Sequence, residues 1–370
     1  MGSSKLISNR EVFHIVLFLQ QGGVFWLLPY LILKENGTAG IGSLLPGLLT
    51  GAVIICVCAF WGQRCQEQPF LQALTVMLGK PLGKLTGFCF LLFYLAFAVS
   101  CLYSFVEVIH GHLLLETPRL VIAVTMFLAV GWLSWNGLED LARIVVLCAL
   151  LLVVLVLLAL AGSWQIFSLE NMLPLSVKAP QQLEQAMQYS VFSYGGLLTL
   201  FMVYPAVRKT GALTRQLLLA MVMSSGIFIL WLVLALGMFG QYSVGAMVWL
   251  PLELARMIQI SSFLERTEAL FAVLWMAVVF ANGSLLVWSV SESAHQLLGQ
   301  KKNPWLHGGV VLGLVLICTQ IKNLLQLLQL VQMFSLLSLG LIPALLLLVL
   351  LGTWRYCRRE GAQHENADLV

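Results

Sequence analysis

From Val12 to Trp354 the chain is a succession of apolar runs, broken by short stretches in which Gly, Pro, Lys, Arg and Gln collect. A helix needs about 20 apolar residues to cross the hydrocarbon core of a bilayer, and the runs have that length. Ten spanning helices are therefore expected, at 11–33, 41–61, 85–113, 119–136, 143–163, 186–207, 214–240, 266–292, 306–322 and 326–354. Two connections hold structure of their own. Residues 64–84 read as a short amphipathic helix ending near Gly79 and Pro81. Residues 241–265 form a long, partly apolar loop expected to pack over the mouth of the bundle. The clearest break lies between Ser163 and Gln185 and contains Pro174 and Pro180. It divides the chain into a first five-helix repeat (1–185), a second (186–357) and a polar tail (358–370).

Five is odd, so the second set of helices enters the membrane with the opposite polarity, which is the condition for an inverted repeat. In such repeats the first helix of each half carries matching interruptions near the midplane. Helix one contains "QQGG" at Gln20–Gly23 with Pro29 beyond it, and helix six contains "SYGG" at Ser193–Gly196 with Pro205 beyond it. Gly and Pro cost about 1 and 3 kcal/mol in a helix interior relative to Ala, so something must compensate. One compensation is close packing of helix on helix, for which small residues are suited. The other is ligand binding. An unwound turn presents N–H groups at the start of one half-helix and C=O groups at the end of the other, and these dipoles suit a carboxylate and an ammonium. The matched pair favours a small zwitterionic or polar solute held by Gln21, Gly22, Gly23 and Val24 of helix one and by Tyr194, Gly195 and Gly196 of helix six.

Composition agrees with a membrane protein: 60% of the 370 residues are hydrophobic and 10% charged, against about 25% charged in an ordinary soluble domain. The net charge of +4 points to no nucleic-acid partner, because the basic residues are spread between the apolar runs. Placing the first residues in the cytoplasm puts 14 Lys and Arg inside and 6 outside, together the 20 present. That asymmetry is what the positive-inside rule asks for, and both termini are expected to be cytoplasmic. The eight cysteines form no Cys-x-x-Cys pair, so neither a disulfide framework nor a zinc site is expected. Nothing resembles a nucleophile elbow, a phosphate loop or a metal motif. Neither an enzyme nor a cofactor is expected.

Helix three carries Ser100, Tyr103, Ser104 and Glu107 on one face. A carboxylate within a spanning segment is a functional-site candidate, so Tyr103 and Glu107 join the site; the competing reading is an interfacial cluster with His110 and His112. Asn282 and Ser284, beside Gly283 and midway down helix eight, either bond helix to helix or line the site, with Asn282 as the candidate. Glu265, Arg266 and Glu268 are expected to pair locally at the end of helix eight. Gln326, Gln329 and Gln332 form a polar stripe expected to face a neighbour rather than lipid.

These stretches also carry a resemblance. "WLPLELARMIQISSFLERTEALFAVLW", with Trp249, Phe263, Leu264, Glu265, Arg266, Phe271 and Trp275, resembles the corresponding segment of the B subunits of bacterial spore germinant receptors. Those subunits are a branch of the amino acid–polyamine–organocation (APC) superfamily. "NGLEDLARI", "FSLENMLPL" and "LGKPLGK" support it, and the resemblance spans roughly residues 8–355. Glu107 falls on a helix-three glutamate of that family and Pro29 on the proline closing its helix-one break. The chain differs at the break, where Gly22-Gly23-Val24 and "FWLLP" replace Gly-x-Gly and Leu-Thr-Leu-Pro. Val24 thus brings a Cβ to where backbone would approach a carboxylate, and Phe25 and Trp26 narrow the pocket.

The resemblance implies an all-α integral membrane protein of ten transmembrane helices, a five-plus-five inverted repeat, leucine-transporter-like with broken helices 1 and 6. It implies a place in the spore inner membrane beside receptor A and C subunits, and binding of a small amino acid-like nutrient that triggers germination. Two other functions fit the same sequence. One is an ion-coupled amino acid transporter in which Glu107 carries a proton; the other is a non-binding scaffold of a receptor or channel complex.

Overall fold

Within hydrocarbon every backbone N–H and C=O must be satisfied inside the protein, and the apolar runs meet this as helices. The computed structural model describes residues 7–21, 26–65, 68–175, 178–208, 211–257 and 267–367. The first spanning unit is in two pieces, α1 (Asn9–Gln21) and α2 (Leu28–Leu33), with Pro29 in the first turn of the second. A 3-10 stretch, Gly37–Ser43, leads into α3 (Leu44–Cys65). Then come α4 (Phe70–Leu78), α5 (Lys80–His112), α6 (Arg119–Asn136) and α7 (Leu138–Ser163). The sixth unit is α8 (Glu184–Tyr194), a 3-10 turn Gly195–Thr199, α9 (Leu200–Val203) and a second 3-10 turn Tyr204–Ala206. The rest is α10 (Leu213–Phe239), α11 (Leu250–Met257), α12 (Thr267–Leu298), α13 (Pro304–Gln320) and α14 (Leu324–Ala367). Among the described residues eight units are long and apolar enough to cross a membrane. The two-piece first unit and the shorter apolar α13 complete the ten.

α12 and α14 run on to Leu298 and Ala367, past the expected 292 and 354, and two helix starts differ from expectation for one reason. α5 begins at Lys80 rather than 85, because Gly79, with φ +85°, turns the chain directly out of α4 and Pro81 sits in the first turn of α5. Pro81 therefore opens a helix instead of ending one, since its missing N–H is an orphan there anyway. Gly137, with φ +107°, likewise joins α6 to α7 without a loop, and α7 starts at Leu138 rather than 143. Such backbone angles are open to Gly and strained for other residues.

The sixth unit is the axis of the bundle. The most apolar window of Glu184–Ala206 is 94% buried, against 28% for Leu138–Ser163, which turns its apolar surface outward. Glycines of α3 let it lie against this axis: a Cβ on Gly47 would sit 2.2 Å from Ser190 Oγ, on Gly51 2.6 Å from Tyr194 Cδ1, and on Gly62 2.0 Å from Tyr204 Cε1. Small residues that admit a neighbouring backbone are a recurrent basis of membrane helix packing.

Both ends of the axis are covered. On the face that holds the chain's first residues (the proximal face), Ile7 N donates to Ala206 O at 2.9 Å and Arg208 N to Ile7 O at 3.0 Å. Beside this latch Phe201 stacks on Phe70 at 4.8 Å between centroids, with Phe90 at 5.8 Å and Trp61 at 6.0 Å. On the opposite, distal face the described part of the 241–265 loop folds back as expected. Its turn at Gly245 faces the Lys34 carbonyl, and α11 buries Leu250, Leu252 and Leu254.

Overpacking a filled interior costs about 1–3 kcal/mol. Gly62→Ala is therefore expected to lower the thermal midpoint of the detergent-solubilised protein, whereas Gly226→Ala, which meets nothing within 4 Å, leaves it unchanged or raises it. Equal midpoints for the two variants would contradict this packing.

Candidate functional site

α1 ends on two amides buried in an apolar interior. Gln21 Nε2 donates to the Ser224 carbonyl (2.8 Å) and hydroxyl (2.9 Å) of α10, and Ser224 Oγ in turn bonds Leu17 O at 3.3 Å. Tyr194 of the sixth unit shares a 2.6 Å hydrogen bond with Ser225 of α10. The Oε1 atoms of both glutamines have no partner among the described residues. Gly22, Gly23 and Val24, expected to form the break, lie outside the described residues. Just beyond them Trp26 is buried and stacks on Trp275 of α12 with ring centroids 3.7 Å apart, and neither indole N–H has a partner among the described residues.

The break in helix six differs from the unwound turn expected there. Gly195–Thr199 is wound as a 3-10 turn: Gly195 N bonds Phe192 and Val191 carbonyls, and Leu200 N bonds those of Leu197 and Leu198. The Leu198 carbonyl also accepts from Tyr94 of α5 at 3.0 Å. Free main-chain dipoles at this point are therefore a correction to the sequence reading. What the two glycines provide is close approach. A Cβ on Gly195 would lie 2.5 Å from Phe93 Cζ, and one on Gly196 2.9 Å from the Leu19 carbonyl. Tighter winding brings α1 and α5 onto the axis, and the polar atom it leaves over is a side chain: Thr199 Oγ1 is buried without a partner among the described residues.

Asn282 of α12 completes this group. Its Nδ2 lies 3.6 Å from Cys101 Sγ, while Oδ1 is buried with no partner among the described residues. Buried polar atoms are nearly always paired, and one that is not calls for a water, an ion or a ligand. Six such atoms, on Gln20, Gln21, Trp26, Thr199, Trp275 and Asn282, border the two interrupted helices and the α12 face beside them. None belongs to an ionised group. An unpaired charge is costly in such surroundings, so the arrangement suits a solute of no net charge, with its ammonium or hydroxyls toward the amide oxygens and its acceptors toward the indole N–H groups.

Tyr103 and Glu107 are brought together, but in a different constellation. Glu107 Oε1 accepts from Tyr103 Oη and from Arg119 Nε, both at 2.8 Å, and Tyr103 Oη lies 2.6 Å from the Ile321 carbonyl. The phenol has one proton for two acceptors, so it is shared between them. These contacts tie α5 to the start of α6 and to the α13–α14 junction on the distal face. Ser100 and Ser104 bond back to the carbonyls of Ala96 and Ser100 within α5. His110 bonds the Thr117 carbonyl and His112 meets Arg256. Sequence reasoning placed Gln20 at the helix-one break and Trp26 at the pocket without naming either as a ligand contact, and it gave Thr199, Trp275 and Arg119 no part in a site. Trp275 had a signal, since it precedes Asn282 by seven residues and shares its helix face.

With the Glu107 carboxylate as a structural tie, Glu107→Gln, which keeps an acceptor oxygen, costs stability up to about 1.5–3 kcal/mol, the worth of a hydrogen bond to a charged group, and leaves solute affinity intact. Chemical denaturation and equilibrium binding on the same sample check this; lost affinity at unchanged stability would return Glu107 to the site.

Residues 6–326 match the sequence profile of a family described as spore germination protein. The chain is 22% identical over 297 residues to the spore germination protein GerQB of Bacillus cereus, covering 80% of this chain and 81% of that one. To the spore germination protein YndE of Bacillus subtilis (strain 168) it is 21% identical over 355 residues, covering 95% and 98%. Among solved structures, MhsT in complex with L-phenylalanine superposes with a TM-score of 0.65 at 14% identity, over 91% of this chain and 87% of that one. The outward-open state of a Na+-coupled sialic acid symporter gives 0.60 at 13%, over 94% and 78%. At such identity the likeness is one of fold: ten helices in the leucine-transporter-like arrangement, with helices one and six interrupted.

Proposed function

Because the chain belongs to the spore germination protein family, we propose that it is the membrane subunit of a nutrient germinant receptor, holding a small amino acid-like solute between helices one, six and eight. The observation that carries this reading is the set of unpartnered buried polar atoms on Gln20, Gln21, Thr199 and Asn282, with the two indole N–H groups of Trp26 and Trp275. A solute that pairs them recovers their desolvation cost on binding. It also favours the bundle conformation in which they converge, and a ligand shifts an equilibrium only by such differential affinity. The reading places both termini in the cytoplasm, as the charge asymmetry expects, and the chain in the spore inner membrane. Receptor A and C subunits would receive the conformational bias. The structural likeness to symporters raises ion-coupled transport as the other reading. Against it, the carboxylate best placed to carry a coupling proton, Glu107, is held by Arg119 and Tyr103.

Asn282→Ala removes one of the unpartnered acceptors without touching the packing glycines. Losing one hydrogen bond to a polar or charged group is worth about 1–3 kcal/mol, and each 1.4 kcal/mol is about tenfold in affinity, so the variant is expected to bind roughly five- to a hundredfold more weakly. Calorimetric titration of the purified full chain with free amino acids measures it. A wild-type chain giving no saturable heat, or an Asn282→Ala variant of unchanged affinity, would sink the proposal. Concentrative, ion-gradient-dependent uptake into proteoliposomes would favour the transporter.

A further inference from the structure

We propose that a second solute site lies at the distal end of the bundle, between α2, α8 and α14, and that it takes a small zwitterion such as a free amino acid. The cavity there measures about 280 Å³, at the small end of ligand pockets, which run from about 300 to 1,000 Å³; a metabolite fits, a peptide does not. Amides and phenols share its walls with Leu31, Leu325 and Leu328 and with the charged Lys34 and Glu35. Gln185 of α8 and Gln329 and Gln332 of α14 face it together with Asn36, and Tyr30 and Tyr189 close the sides. Two members of the α14 glutamine stripe, Gln329 and Gln332, thus face α2 and α8 across a cavity, while Gln326 caps the start of its own helix by accepting from Lys322 N at 2.7 Å. Gln332 lies eight residues into α14, about 12 Å below its first residue, a depth at which an amide turned to lipid is unfavourable.

The groups around the cavity are waiting for partners. Asn36 is only 7% exposed, its Nδ2 is committed to the Ile32 carbonyl at 3.1 Å, and its Oδ1 has no partner among the described residues. The Tyr30 and Tyr189 hydroxyls, on side chains equally buried, likewise make no hydrogen bond among the described residues. Lys34 and Glu35, neighbours in sequence, are not paired with each other. The Lys34 ammonium stands 5.5 Å from the centre of the Tyr30 ring, and Glu35 is within electrostatic reach of Tyr189. Among the lining residues one cation, one anion and several amides able both to donate and to accept match a solute that carries both charges; a second ammonium, that of Lys178, is bound to the Glu35 carbonyl at the rim. A simple anion or cation would leave the opposite charge unanswered, and a neutral polyol would leave both.

α2 joins this cavity to the proposed central site. It starts beside Trp26 at the break and ends at Lys34 on the cavity wall. The two proposed sites are thus one short helix apart. The inference rests on the proposed function only for the identity of the solute, and the two fail separately.

The test is equilibrium dialysis of the purified full chain against individual radiolabelled amino acids, with myo-inositol as the neutral control. The variants are Lys34→Gln with Glu35→Gln, Gln185→Leu with Gln332→Leu, and Asn282→Ala, each required to elute as a monodisperse peak. Lys34 and Glu35 are exposed, so the first pair does not disturb the core. The expected result is two amino acids bound per chain, with either distal double variant weakening one of them at least tenfold while Asn282→Ala weakens the other. A single site removed by Asn282→Ala alone overturns the distal site and leaves the central reading standing. A single site removed by the distal variants alone does the reverse. Inositol binding that the distal variants abolish overturns the zwitterion. Unchanged binding with loss of co-purifying receptor subunits makes the stripe a protein contact and overturns the inference too. A chain that binds nothing sinks both proposals.

Discussion

A helix interrupted in the middle of a bilayer must find new partners for the backbone groups it frees, because no water is there to take them. In helix six the answer is to keep winding, more tightly. The 3-10 turn Gly195–Thr199 retains its amide bonds, and its one shared carbonyl, that of Leu198, accepts from Tyr94. That solution forces the rest of the architecture. A tighter turn needs neighbours close enough to fill the space around it. Hence Gly195 and Gly196 admit Phe93 and the Leu19 carbonyl, and Gly47, Gly51 and Gly62 let α3 settle against the same axis. From Gln188 to Tyr204 the sixth unit is therefore buried on every side.

Seen this way, packing and binding are not competing explanations of the Gly-Gly pairs. The glycines draw the helices together. Their convergence then confines the amides of Gln20 and Gln21, the Thr199 hydroxyl and Asn282 in a region too dry to satisfy them internally. A buried polar group without a partner costs about 1–3 kcal/mol, so several of them together are a standing bias toward any state in which something pairs with them. Latch and aromatic cluster seal the proximal face, with Ile7 bonded to Ala206 and Arg208 and with Phe201 stacked on Phe70.

Much of the architecture was legible in the sequence because hydropathy and helix length are local properties. The ten spans, the short helix before α5 and the folded loop before α12 all follow from runs of apolar residues and the breakers between them. The site was legible in part. Gln21, Tyr194 and Asn282 stood out as polar residues in apolar helices, and the structure puts them on the interrupted helices and on α12 beside them. The state of helix six was not legible, because glycine permits both an unwound turn and a tight one, and the neighbouring Phe93 and Phe97 that decide between them lie about a hundred residues away in sequence. Glu107 shows the same limit. Its spacing with Tyr103 is visible within one helix, but its partner Arg119 is on another, after a turn. The glutamines of α14 were seen as a stripe, yet what they face depends on how α2 and α8 are tilted.

The single-residue joints at Gly79 and Gly137 have a mechanical consequence. A loop of several residues would absorb a shift of one helix before it reached the next. A lone glycine has only two backbone torsions to rotate, so α4 with α5, and α6 with α7, behave as rigid angle brackets pivoting at one vertex. α5 lies against the central turn through Phe93 and Phe97, and α4 meets Thr353 of α14 through Met77. One glycine vertex thus separates the contacts at the middle of the protein from those near its proximal surface.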